Sequence, residues 1–209
     1  MNYTELTTNI EDVCESTFTA DQLAMFVQQA EQTIYNTVQI PALRKNTSGS
    51  LTASNQYLTT PTDYIFPYSL AVIDGDGKYH FLLNKDVNFI REAYPDPTSE
   101  GLPKHYALLD DDTFILGPTP DSSYTTQLHY GYYPESIVTA GTTWLGDEFD
   151  SALLNGALVQ AIRFMKGEQD VVQMYEKLYV QAIKLLKNLG DGKLREDSYR
   201  SGQVRNPVV

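Results

Sequence analysis

The sequence predicts an α+β protein: a helical bundle of three long helices, an antiparallel β-rich domain inserted into it, and an extended C-terminal arm. Three observations carry this. Apolar residues recur at helical spacing near both ends of the 209 residues, most of the turn signals, including seven of the ten prolines, and most of the 15 tyrosines lie between positions 51 and 133, and periodicity ceases after Gly190. The expected limits are 1–45 for the N-terminal bundle helices, 46–140 for the inserted β-domain, 141–190 for the C-terminal helix pair and 191–209 for the arm.

Leu6, Ile10 and Val13 or Cys14 recur at helical intervals, which predicts a short amphipathic helix over 4–15, broken by residues 16–19. Thr19 and Gln22 form a T-x-x-Q capping box. Behind it Leu23, Phe26 or Val27, Ala30, Ile34 and Val38 share one face until Pro41 stops the first long helix. Residues 41–54 are polar and small and mark the change from helix to strand. Short β-favouring runs follow at 68–73, 78–83, 104–109, 113–116 and 123–133. Asp74-Gly75-Asp76-Gly77 separates two of these runs and Asp110-Asp111 two others, in keeping with the positive φ that Gly and Asp tolerate in tight hairpins. A short helix over 86–93 ends at Tyr94-Pro95-Asp96-Pro97. Phe149, Leu153, Ala157, Ala161 and Met165 then repeat every four residues, which predicts a second long helix over 147–166 with Gly167 as its left-handed C-cap. Val171, Tyr175, Leu178, Ala182, Leu185 and Leu189 mark a third helix ending near Gly190, so the two form an antiparallel αα-hairpin.

Hydrophobic residues at 42% are enough for a core, and no run approaches the roughly 20 apolar residues of a membrane span. The first residues carry neither a basic nor an apolar leader segment, and the expectation is a soluble protein without membrane contact. Fifteen Lys+Arg against 27 Asp+Glu give −12, which argues against a nucleic-acid-binding surface, because phosphates need clustered cations. The charge is uneven: residues 184–209 carry net +3 and the remainder −15. Cys14 is the single cysteine, so no intrachain disulfide forms, and it reads as a small core-facing residue.

No catalytic constellation emerges. Asp74-x-Asp76-Gly77 matches the start of an EF-hand loop, but Lys78, Tyr79 and Lys85 stand where an oxygen ligand, a glycine and a glutamate are needed, so the segment reads as a hairpin turn. His80, His105 and His129 are scattered among strands without metal-ligand spacing. Asp110, Asp111 and Asp112 resemble a glycosidase pair only in composition; adjacent carboxylates at a solvated tip lack the burial that raises a general acid. The tyrosines fit a half-buried sandwich core and an interface equally well. The expectation is a protein that is not an enzyme and holds no cofactor or metal.

Set in order, the segments resemble the head-to-tail adaptor (connector) proteins of short-tailed bacteriophages, from the first helix to about Leu189. The residues that carry the resemblance are Pro61-Thr62-Asp63-Tyr64-Ile65, Val87-Asn88-Phe89-Ile90-Arg91-Glu92-Ala93-Tyr94, Gly101-Leu102-Pro103 with Tyr106, and Leu116-Gly117-Pro118-Thr119-Pro120-Asp121. Tyr130-Gly131-Tyr132-Tyr133-Pro134, Trp144-Leu145 and the helix from Leu153 to Leu158 follow. The resemblance implies a structural virion protein at the head-tail interface, present in the host cytoplasm before assembly. It implies a homo-oligomeric ring, commonly of twelve subunits, that docks on the portal protein, extends the channel for genomic DNA and presents a platform to the tail nozzle. DNA passes such a ring without sequence-specific binding, and an acidic wall keeps the duplex from sticking.

Within that frame, Lys193, Arg195, Tyr199, Arg200 and Arg205 are expected to form a basic arm that orders on an acidic cleft of the portal. The first helix and the helix pair are candidates for subunit contacts. Asp74, Asp76, Asp110, Asp111 and Asp112, at the tips of the β-domain, are expected to face the tail. Two alternatives stay open: another tail-channel component, such as a stopper or tube subunit, and a carbohydrate-binding β-domain.

Overall fold

The computed structural model describes residues 1–193 and is α+β, with seven helices and two four-stranded sheets among the described residues. The chain divides into two compact units, one of Met1–Ala42 together with the chain from Pro134 onward, the other of Leu43–Tyr133.

Helix α1 (Tyr3–Cys14) starts at a capping box in which Asn2 Oδ1 accepts the Glu5 amide and Glu5 Oε2 accepts the Asn2 amide, both at 2.9 Å. The left-handed Glu15 stops it. Helix α2 (Ala20–Thr37) begins at the Thr19 box that the sequence marks, and buries Leu23, Phe26, Val27, Ala30 and Ile34. A 3₁₀ turn at Pro41–Leu43 closes the segment.

The second unit is a β-sandwich. Sheet one has the order β1-β8-β3-β4, with β1 (Arg44–Ser50), β3 (Tyr64–Ile73), β4 (Tyr79–Phe81) and β8 (Thr125–Tyr132); sheet two is β2-β7-β6-β5, with β2 (Tyr57–Thr59), β5 (Leu83–Asn84), β6 (His105–Asp110) and β7 (Thr113–Gly117). Leu70, Val72, Leu128 and Tyr130 of the first sheet meet Tyr106, Phe114 and Leu116 of the second in one core. Helix α3 (Val87–Ala93), capped by Asp86, lays Ile90 on Ala107 and Ile115 across the outer face of sheet two. One expectation is corrected, and one strand stands outside the predicted runs. The domain is not wholly antiparallel: β5 pairs parallel to β6, because α3 forms part of the crossover between them. The polar segment after residue 43 is strand β1, an edge whose register runs from Arg44↔Gly131 to Ser50↔Thr125; its ladder partner supplies the strand state that its side chains do not announce.

The motif residues of this unit have structural duties. Asp63 accepts from Lys45 Nζ at 2.6 Å and from the Tyr130 hydroxyl at 2.8 Å, and the lysine bond foremost holds its carboxyl below the usual carboxylate range. Gly117 lies so close beneath the Tyr94 ring that any Cβ would collide with it.

Past Tyr133 the chain forms α4 (Ile137–Ala140), α5 (Trp144–Glu148), α6 (Asp150–Phe164) and α7 (Gln169–Lys193). Helix α6 is apolar on most of its circumference and packs against α1, α2, α5 and α7. The description as three long helices is therefore corrected: α1 also joins α6, and the second long helix is two, since Phe149 at φ −146°, ψ 47° breaks α5 from α6. The left-handed residue after α6 is Lys166 at φ 57°, one position before Gly167. Gly167 is instead required by contact, because a Cβ there would stand 2.6 Å from Ile162 Cγ2. Helix α7 runs past its expected end at Gly190, so residues 191–193 are helical rather than extended. The rest of the expected arm, including Arg195, Tyr199, Arg200 and Arg205, lies outside the described residues.

Candidate assembly surfaces

The two acidic tips differ in construction and position. At residues 74–77, Asp74 Oδ1 accepts the Asp76 and Lys78 amides at 2.9 Å each, while Oδ2 meets His80 Nε2 at 2.7 Å. Gly77 takes φ 79°, as the turn requires. The His80 bond, and then the Lys78 amide, hold the Asp74 carboxyl below its usual value. Asp74 is thus the internal anchor of the turn, and Asp76 is the carboxylate that projects. At the other tip, the Asp110 carboxylate accepts the Asp112 amide at 3.2 Å, the Asp112 carbonyl accepts the Thr60 amide at 2.8 Å, and Asp110, Asp111 and Asp112 are all exposed. Asp110 is held low chiefly by the Thr113 hydroxyl.

The structure does not bring these tips together. The turn at 74–77 follows Ile73, where β3 ends beside Thr125; the tip at 110–112 bonds Thr60, shortly before Tyr64 opens β3, and Phe114 beside it packs on the Tyr64 ring. The two lie at opposite ends of a ten-residue strand, about 30 Å apart at roughly 3.3 Å per residue.

Asp74 gives a pH prediction with a definite sign. A carboxyl whose folded pKa is depressed contributes stability above its unfolded pKa and loses it as pH falls through the folded value. Amide exchange at Asp76 and Lys78, corrected for intrinsic pH dependence, is expected to accelerate below about pH 4, where an ordinary aspartate titrates. Asp74→Asn should show that acceleration at neutral pH; protection unchanged in this variant would remove the carboxylate as the anchor.

The histidines are each engaged separately: His80 with Asp74, His105 Nδ1 with the Tyr94 hydroxyl at 2.8 Å, and His129 against the Tyr68 ring. Burial, then Lys85 and Lys104, holds His105 below its usual value. Cys14 is half-buried, and that burial pushes its thiol up. Among the described residues no three His, Cys, Asp or Glu side chains gather closely enough for a metal ion, and no helix is long and apolar enough to cross a membrane.

What the surface does offer is exposed apolar side chains. Tyr79, Phe81 and Leu83 alternate outward along the ribbon β4–β5, which edges both sheets. On α7, Val171, Met174, Leu178 and Leu185 are exposed, whereas Ala182, Ile183 and Leu186 turn inward. The single stripe read from the sequence therefore mixes two faces: Ala182 belongs to the core, and Val171, Leu178 and Leu185 to the outside. Tyrosine divides likewise, with Tyr106 and Tyr130 in the sandwich core and Tyr57 and Tyr79 on its surface.

A family model described as SU10 adaptor protein matches residues 1–207, which spans both units. The chain belongs to the SU10 adaptor protein family. No curated protein matches it. Membership makes this chain a structural adaptor of a bacteriophage virion, the family that its motif order resembles. The surfaces described above are therefore the candidate functional parts of this adaptor. Sequence reading missed one interior residue that bears on them: Glu31 of α2, only 3% exposed, whose Oε1 accepts the Ile137 amide at 2.9 Å at the start of α4. Its signal is an acidic residue four after Val27 and three before Ile34, on the apolar face.

Proposed function

We propose that the adaptor assembles as a ring, of twelve copies as the resemblance implies, which docks on the portal, extends the DNA channel and offers the tail nozzle its platform. The observation that carries this is the family match over residues 1–207. Charge supports it: the chain carries a net −12, and an acidic wall repels a passing duplex. The portal contact is assigned to the arm containing Lys193, Arg195, Tyr199, Arg200 and Arg205. Because the acidic tips lie at opposite ends of the sandwich, one tail contact takes one of them. The turn with Asp74 and Asp76, away from the end where the chain enters and leaves this unit, is assigned to the nozzle; Asp110, Asp111 and Asp112 are then left for another neighbour.

The test is an affinity pull-down from infected host cells, comparing the full chain with one ending after Lys193, with partners identified by mass spectrometry. The full chain is expected to retain a portal-sized virion protein and the truncated chain to lose it. Retention by both moves the portal contact to the folded units; no virion partner for either overturns the docking reading.

A further inference from the structure

Helix α7 is the longest in the chain, and its outer face has the pattern of a helix-packing seam. Val171, Leu178 and Leu185 stand seven residues apart, Met174 fills the intervening position of the first heptad, and Gln181 and Asn188 fill those of the next two. All six are exposed. Apolar residues at every seventh position, with Met174 beside the first and polar Gln181 and Asn188 beside the others, make a short seam narrower than the stripe a helix uses against its own core, suited to one further helix packing alongside. The inward face of α7 is already occupied through Ala182, Ile183 and Leu186, so this seam is additional to the fold.

The flanking charge selects the occupant. Lys177 and Lys184, one position before Leu178 and Leu185, are exposed and make no ion pair among the described residues; the ion pair that α7 does make joins Glu176 to Arg163. Two α7 helices laid together with these lysines in register would oppose like charges. Helix α1 presents the complement. Glu5 and Asp12 are exposed on its outer side, also seven residues apart, with exposed Val13 beside them. Both pairs are about 10.5 Å apart along their axes at roughly 1.5 Å per residue.

From this match we infer that α7 of one copy receives α1 of a second copy, with Leu178 and Leu185 at the centre and Lys177 and Lys184 paired to Glu5 and Asp12. The inference rests on the assembly reading above and gives its subunit contact. The interface is heterologous, since two different surfaces meet, and such contacts close into rings when the rotation permits.

Sedimentation of the full-length chain over a concentration series tests it. Leu178→Asp with Leu185→Asp is expected to weaken self-association by about tenfold or more, as loss of central apolar anchors does, with an unchanged melting curve because both sites are exposed. Lys177→Glu with Lys184→Glu, and separately Glu5→Lys with Asp12→Lys, should each weaken it. Mixing these two charge-reversed chains should restore assembly, because each then meets its opposite on both faces; Asp12→Lys alone, which spares the Glu5 cap, serves if the double variant melts early. If the wild-type chain assembles and the leucine variants assemble equally, this surface is wrong and the ring reading stands. Weakening by the leucine changes with no effect of α1 reversal would show α7 pairing with itself and overturn the α1 assignment. A wild-type chain that stays monomeric throughout overturns self-association on this face, and the portal pull-down then decides the docking reading separately.

Discussion

Glu31→Ala is expected to destabilise the adaptor by about 3 kcal/mol, whereas Glu31→Gln leaves it at least as stable as the parent at neutral pH. The alanine change strands the buried Ile137 amide and opens a cavity, and an unsatisfied buried donor alone costs about 1–3 kcal/mol. At roughly 2–4 °C per kcal/mol for a chain of this size, the melting point should fall by about 6–12 °C. Glutamine keeps an oxygen for that amide and carries no charge. Burial is the leading influence on the Glu31 carboxyl and raises its pKa, while the Ile137 amide and the Ser136 hydroxyl oppose it. The folded pKa therefore stands above the unfolded one, so stability linked to this group is full below about pH 4, an ordinary glutamate's range, and is lost as pH rises through the folded value. Wild type should gain on Glu31→Gln as the solution is acidified, the reverse of the Asp74 turn. Equal losses for the two variants at neutral pH would show that the charge, not the acceptor, holds α4.

The parts of this fold that were legible are those set by neighbours in sequence. The Thr19–Gln22 box, the short helix beginning near Asp86 and the turns at 74–77 and 110–112 all close within a few residues, and the residue types report them directly. Strand β1 is different: RKNTSGS has no alternating apolar face, and only its pairing with β8 makes it a strand. The break at Phe149 was hidden because apolar positions continue at four-residue spacing across it. Helix α7 was misread in the opposite sense, its apolar residues being too many for one face.

The assembly surfaces were less legible than the fold for a related reason. Exposed Leu178 and buried Leu186 are the same residue type in one helix, and only the tertiary packing of that helix separates them. Charge was readable, and it is the charge segregation of Met1–Ala42 from α7 that gives the exposed leucines a direction. Glu31 shows the converse. An acidic residue within an apolar stripe marks an interior polar duty, here the hold on Ser136 and Ile137 where the chain returns to the helical unit.

Gly190→Ala and Gly192→Ala should act in opposite directions, though both glycines stand in the last turn of α7 and either is a conventional helix end. Ordinarily alanine gains about 1 kcal/mol over glycine within a helix, through backbone entropy. At Gly192 no atom of the described residues lies within 4 Å of where the Cβ would stand, so the substitution should stabilise by up to that amount. At Gly190 the added atom would stand 2.7 Å from the Gln39 carbonyl oxygen and 2.7 Å from Ile40 Cγ2. A backbone oxygen cannot swing aside as a side-chain tip does, so α7 or the end of the 38–40 segment must shift, at about 1–3 kcal/mol for overpacking. The net expectation is a lower melting point for Gly190→Ala and an equal or higher one for Gly192→Ala, read by thermal unfolding of the full chain. A rise in both would mean that Gly190 ends the helix as the sequence suggests, with no close packing against Gln39.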